Sequence, residues 1–284
     1  MSVGATFGGV TELLRGRPRH PVGADGRMAL SDHFRELRAR LIRSALVWIV
    51  LFIVALCFYN DLLKVVAHPF YVANEKLGND VDTELVFTGV TKALMVQFKL
   101  CGVVSLIAAS PYWLLQIWGF LMPALHAHER KWSRIFGAIA GPLFLIGVGV
   151  GYWVLPKGIQ VLVGFTPLDA KSLIEFGDFF DFELRMLLVF GIAFEIPLFV
   201  VMLNLAGIVS GERLGKSRPW IVIGTMVFAA VATPSTDPFS MLMLAIPMLI
   251  LFGVAEVIAR FVDRTRGRRK HSTEQWDDDE LSPL

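Results

Sequence analysis

Six stretches of this chain are dominated by apolar side chains: residues 41–58, 94–121, 135–155, 179–206, 220–232 and 239–259. Polar segments punctuated with Pro and Gly separate them. A helix rises about 1.5 Å per residue and the hydrocarbon core of a bilayer is roughly 30 Å thick, so runs of this kind predict membrane-crossing helices. The predicted fold class is therefore all-α, a polytopic integral membrane protein with six transmembrane helices. The fifth run stands apart. Residues 220–232 rise only about 20 Å, and the bilayer beside them is expected to thin at a cost of fractions of a kcal/mol per Å of mismatch.

Outside the runs, the pattern divides the chain into three parts. Residues 1–27 are rich in Gly, Arg and Pro, carry no helical apolar period and are expected to form a disordered cytoplasmic extension, with Met28 as an alternative start. Residues 28–262 form the six-span domain, opened by Ser31 or Asp32 as a helix cap. Residues 263–284 make a charged cytoplasmic tail. The first run is not a cleavable signal peptide, because no small-residue cleavage site follows it and further apolar runs do.

Composition agrees with a bilayer as the solvent: 55% of the 284 residues are hydrophobic and 12% aromatic, and the mean hydropathy is +0.59. The net charge of +2 matters less than where the basic residues sit. Twenty of the 27 Lys and Arg residues fall in 1–43, 126–134, 208–218 and 260–270. The intervening segments are acidic instead, with Asp61, Glu75, Asp80, Asp82 and Glu84 before the second run and Asp169, Glu175 and Asp178 before the fourth. Basic loops stay inside, so both termini are predicted to be cytoplasmic. Cys57 and Cys101 lie within apolar runs without metal-type spacing and read as small buried hydrophobes.

Three separated groups of residues resemble the TatC family, the multi-spanning subunit of the twin-arginine protein translocase. The first is His33-Phe34-Arg35-Glu36-Leu37-Arg38-Ala39-Arg40-Leu41. The second is Gln116-Ile117-Trp118-Gly119-Phe120-Leu121-Met122-Pro123-Ala124-Leu125, followed by His128-Glu129-Arg130. The third comprises Phe194-Glu195-Ile196-Pro197, Arg218-Pro219, Thr233-Pro234 with Asp237, and Ala245-Ile246-Pro247. The resemblance implies a subunit that recognises the paired arginines of a signal peptide. Working with single-span TatA and TatB type subunits, it exports folded proteins across the cytoplasmic (inner) cell membrane with the proton-motive force. It further implies a homo-oligomer within the complex and no enzymatic activity, cofactor, metal or nucleic acid. Two positions depart from the family: Met241 stands where a Gln is frequent, and Gly253 where an acidic residue is, with Glu256 one helical turn on as a substitute.

By the resemblance, Glu36 and Glu129 match the signal-binding acids. The chemistry suits them, since a planar carboxylate matches a guanidinium fork and not a lysine ammonium. The plain alternative for Glu36 is an i,i+4 pair with Arg40, worth about 0.3–0.5 kcal/mol; for Glu129 it is a solvated charge in a basic loop. Arg38, two positions from Glu36, is expected to shape the site or join an interhelical pair. Phe120 borders the site and Pro123 ends the helix beside it.

Glu195 lies deep in an apolar run, where a charge costs about 2.5–3.5 kcal/mol unless it meets a cavity or partner. Pro197 frees a carbonyl nearby, and the resemblance makes this polar spot a docking point for a partner helix. Asp237, in the outward turn, contributes there or caps the last span. Glu183, Arg185, Lys92 and Lys99 read as side chains snorkelling to the interface. A small-solute secondary transporter is the rival function, disfavoured because no internal repeat is evident. An intramembrane protease would need a Ser-His pairing within the apolar spans or an H-E-x-x-H helix motif, and neither is evident.

Overall fold

The computed structural model describes residues 30–77, 83–86, 89, 91–125, 130–164, 172–233 and 238–274. In chain order these form α1 (Leu30–Cys57), α2 (Tyr59–Leu77), β1 (Thr83–Val86), α3 (Lys92–Ala108), α4 (Ser110–Leu125) and α5 (Arg130–Gly164). Then follow β2 (Ser172–Glu175), α6 (Phe176–Leu205), α7 (Gly211–Lys216), α8 (Arg218–Ala232) and α9 (Pro238–Glu274). The chain divides into two compact units, with the boundary between Ile192 and Ala193, inside α6.

Among the described residues, four helical segments are long and apolar enough to cross a membrane: Phe34–Cys57, Ile135–Gly164, Phe176–Leu205 and Pro238–Thr265. The fold is thus the helical, multi-pass membrane architecture expected, with one short pair of strands added. The run 94–121 departs from a single straight helix: α3 and α4 meet at a bend of 56°. Pro111, the second residue of α4, supplies the reason, because it has no N–H to continue the ladder and its ring crowds the preceding turn. The indole of Trp113 donates to the Leu106 carbonyl (3.0 Å) in the last turn of α3, giving that acceptor a partner at the bend. The fifth run, α8, is a 15-residue helix.

In the first unit, α5 comes close to α4 through two glycines one turn apart. A Cβ on Gly141 would lie 2.7 Å from the Pro111 Cα, and one on Gly137 3.2 Å from the Leu115 Cα. Apolar helices in lipid gain by such backbone approach, which small residues permit. The segment before β1, read from the sequence only as an acidic outward stretch, is the helix α2. Its buried stripe is Val66, Ala67, Phe70 and Ala73, at helical spacing, and Phe70 meets Phe179 edge-on at 5.3 Å. Tyr152 of α5 donates to the Val65 carbonyl of α2 (2.8 Å). Strands β1 and β2 pair in parallel from Thr83↔Ser172 to Val86↔Glu175.

Several side chains sit differently from the sequence expectation. Helix α1 starts at Leu30, upstream of Ser31 and Asp32. Lys92 and Lys99 do not simply snorkel: Lys92 pairs with Glu175, and Lys99 with Asp181 at 2.8 Å. Glu183 is fully buried, whereas Arg185 is exposed. Cys101 is buried and Cys57 exposed. Helix α9 runs on to Glu274, past the predicted tail boundary at 263.

Candidate functional site

The first and second groups of motif residues meet in the first unit, and Arg40 joins them. From α1 its guanidinium donates twice to one oxygen of Glu36, Nε to Oε1 at 2.9 Å and Nη2 to Oε1 at 2.6 Å. Its third nitrogen, Nη1, donates to the backbone carbonyl of Gln116 on α4 (3.2 Å) and to that residue's side-chain Oε1 (3.4 Å). The i,i+4 pair therefore forms, and it is one part of a junction between helices. Side chains of Arg40 and Glu36 are 21% and 25% exposed, so the carboxylate is partly open to a visitor. Oε2 of Glu36 makes no hydrogen bond among the described residues.

Gly119 leaves room for this junction. It lies one turn after Gln116, and a Cβ there would approach Arg40 Nη1 to 2.6 Å. Trp118, 4% exposed, is held by Phe136 of α5 with ring centroids 5.6 Å apart. Phe120 follows on the same helix and is half-buried. Pro123 lies in the last turns of α4. Arg38 is exposed and forms neither a hydrogen bond nor an ion pair among the described residues; it stands apart from Glu36, as the i,i+2 spacing requires. Glu129 lies outside the described residues.

In the second unit, Glu195 is half-buried in α6, and Pro197 interrupts the ladder two residues on. Asp237 lies outside the described residues. A second carboxylate there does work the sequence suggested only as a substitution. Glu256 of α9 accepts Arg218 of α8 through two bonds of 2.8 Å and Arg260 Nε at 2.8 Å, with its own side chain only 10% exposed. Beside it, Asp263 accepts from Asn204 Nδ2 (3.0 Å) and from the Gly211 N–H (2.6 Å). A Cβ on Gly211 would lie 2.7 Å from the Arg260 backbone nitrogen. These contacts tie the end of α6, the short α7 and the base of α8 to α9. On α7, Lys216 bonds Glu212 at 2.7 Å and holds that carboxyl below the usual carboxylate range.

Sequence reasoning singled out Glu36, Phe120 and Glu195 but passed over Arg40 and Gly119 as site residues. Both lie inside the quoted motifs, so the signal was present; the contact that explains them spans 76 positions. Among the described residues no three His, Cys, Asp or Glu side chains are grouped to hold a metal ion.

Comparison with known proteins gives the same picture over most of the chain. The family described as Sec-independent protein translocase protein (TatC) matches residues 32–247. A Sec-independent protein translocase protein TatC from Frankia casuarinae is 37% identical over 268 residues, spanning 92% of this chain and 74% of that protein. Its counterpart from Escherichia coli K12 is 32% identical, over 85% of this chain and 92% of that one. A crystal structure described as the twin arginine translocase receptor TatC superposes with a TM-score of 0.67 at 31% identity, covering 81% of this chain and 98% of its own. With the family match spanning residues 32–247 and the likeness to relatives running over most of the chain, the chain belongs to the TatC family of Sec-independent protein translocase proteins.

Proposed function

We propose that this chain reads twin-arginine signal peptides at the cytoplasmic membrane face, as the receptor subunit of a translocase that exports folded proteins with the proton-motive force. Six crossings with both termini inside, in the inner cell membrane, place Glu36 and Glu129 on the entry side, where the basic segments lie. The observation that carries the reading is the state of Glu36. It is a partly exposed carboxylate with one oxygen uncommitted, on the same α1–α4 junction as the segment ending in Phe120. A guanidinium can place two N–H groups on that free oxygen as Arg40 does on the other.

In this reading Glu129 takes the second arginine, Phe120 and Pro123 border the bound segment, and Arg38 shapes its approach. Glu195, supported by the break at Pro197, is the polar spot for the single helix of a TatA or TatB type subunit, with Asp237 contributing at the outward turn. Homo-oligomerisation within the complex belongs to the same proposal.

A photoreactive residue placed beside the site at position 35 tests it. Crosslinking to a twin-arginine precursor is expected to fall to background in Glu36→Ala and Glu129→Ala with membrane insertion intact, whereas Glu195→Ala keeps the crosslink but loses co-purification of the single-span partner. Normal crosslinking in both acid variants would place signal recognition elsewhere.

A further inference from the structure

We infer that Arg40 is a positioning residue for signal recognition: seated in the gap at Gly119, it fixes Glu36 so that one oxygen is spent inward and the other is presented to the incoming arginine. This rests on the reading of Glu36 as an acceptor and adds what sets its geometry.

Arg40 divides its donors unevenly. A fork-to-fork pair would engage both carboxylate oxygens, yet Nε and Nη2 both go to Oε1. A carboxylate oxygen has about two lone-pair sites, so Oε1 is filled and Oε2 is left with both of its own. The third nitrogen is anchored to the Gln116 backbone carbonyl, which no side-chain substitution removes. The guanidinium thus spans a flexible glutamate on one helix and a fixed acceptor on the next. Its planarity transmits the position of α4 to the Glu36 carboxyl. An ammonium, a point charge without a fork, cannot hold two such directions at once. Preorganisation of this kind raises affinity by removing the ordering cost from the binding step.

Gly119 supplies an independent handle on the same geometry. A methyl group there would meet Nη1 at 2.6 Å and Cζ at 3.4 Å, both at the far end of a long side chain. Arg40 is therefore expected to swing away while the helices stay packed. Gly119→Ala should reproduce the effect of changing Arg40 without altering any charge.

The test uses inverted membrane vesicles carrying the whole translocase and two fluorescent signal peptides, one with twin arginine and one with twin lysine. In both Arg40→Lys and Gly119→Ala, the twin-arginine peptide is expected to bind about tenfold more weakly, a change of 1.4 kcal/mol. The arginine-over-lysine ratio should narrow with it, a readout that a general loss of packing would not move selectively. Glu36→Gln serves as the reference and should lose the preference altogether. Affinity within twofold of the parent and an unchanged ratio in Arg40→Lys and Gly119→Ala, with Glu36→Gln still defective, overturns the positioning role and leaves the acceptor reading standing. Tighter binding in Arg40→Lys also overturns it, since Arg40 would then be a tethered competitor. Parent-like binding in Glu36→Gln removes the acceptor reading itself.

Discussion

Glu183 sits on α6 with no exposed surface, and neither carboxylate oxygen has a hydrogen-bond partner among the described residues. An unpaired buried polar group costs about 1–3 kcal/mol, while an apolar side chain of similar shape removes that cost. Glu183→Met is therefore expected to hold or raise the melting temperature of the purified protein, by about 2–4 °C for each kcal/mol recovered. A fall of several degrees in a detergent melting curve would show that the carboxyl is needed where it stands. From the sequence Glu183, like Arg185, reads as a side chain snorkelling to the interface near the start of the fourth run. Helical periodicity separates them: Phe180, Leu187 and Phe190, at i−3, i+4 and i+7, are all buried. That periodicity is present in the sequence, and position near the end of the run outweighs it in the snorkelling reading.

Helices show the same mixture of legible and hidden features. The apolar runs marked where helices lie, because burial in lipid demands continuous apolar surface with every backbone group paired internally. The bend between α3 and α4 was not drawn from the run, although Pro111 announces it, because hydropathy is blind to a missing N–H. Helix α8 shows a quantity the run length did convey. Its 15 residues rise about 22 Å against a core of roughly 30 Å, and its outer surface is strongly apolar, with Trp220 75% and Val231 82% exposed. Nitroxides at positions 220 and 233, about 20 Å apart along the axis, are expected to report the two edges of the hydrocarbon layer. Depth profiles matching the full thickness would remove the case for a thinned bilayer.

For the whole molecule, fold class and family were readable because they depend on features distributed along the chain: apolar runs, basic loops and motifs near both ends. The pairings that give the motifs their meaning were not. Arg40 with Gln116, and Arg218 with Glu256 at a separation of 38 positions, depend on how helices pack, which no local period encodes. The division into two units inside α6 was likewise invisible, since a continuous helix crosses it. The Glu256 contact also has a consequence for electrostatics. One acid there offsets two arginines, so neutralising it leaves a doubly cationic socket at the base of α8. Such a socket is a ready receptor for phosphate oxygens. Glu256→Gln is thus expected to carry more acidic phospholipid through purification than the parent, as lipid mass spectrometry would reveal; equal lipid content would mean that the arginines swing apart once their shared anion is gone.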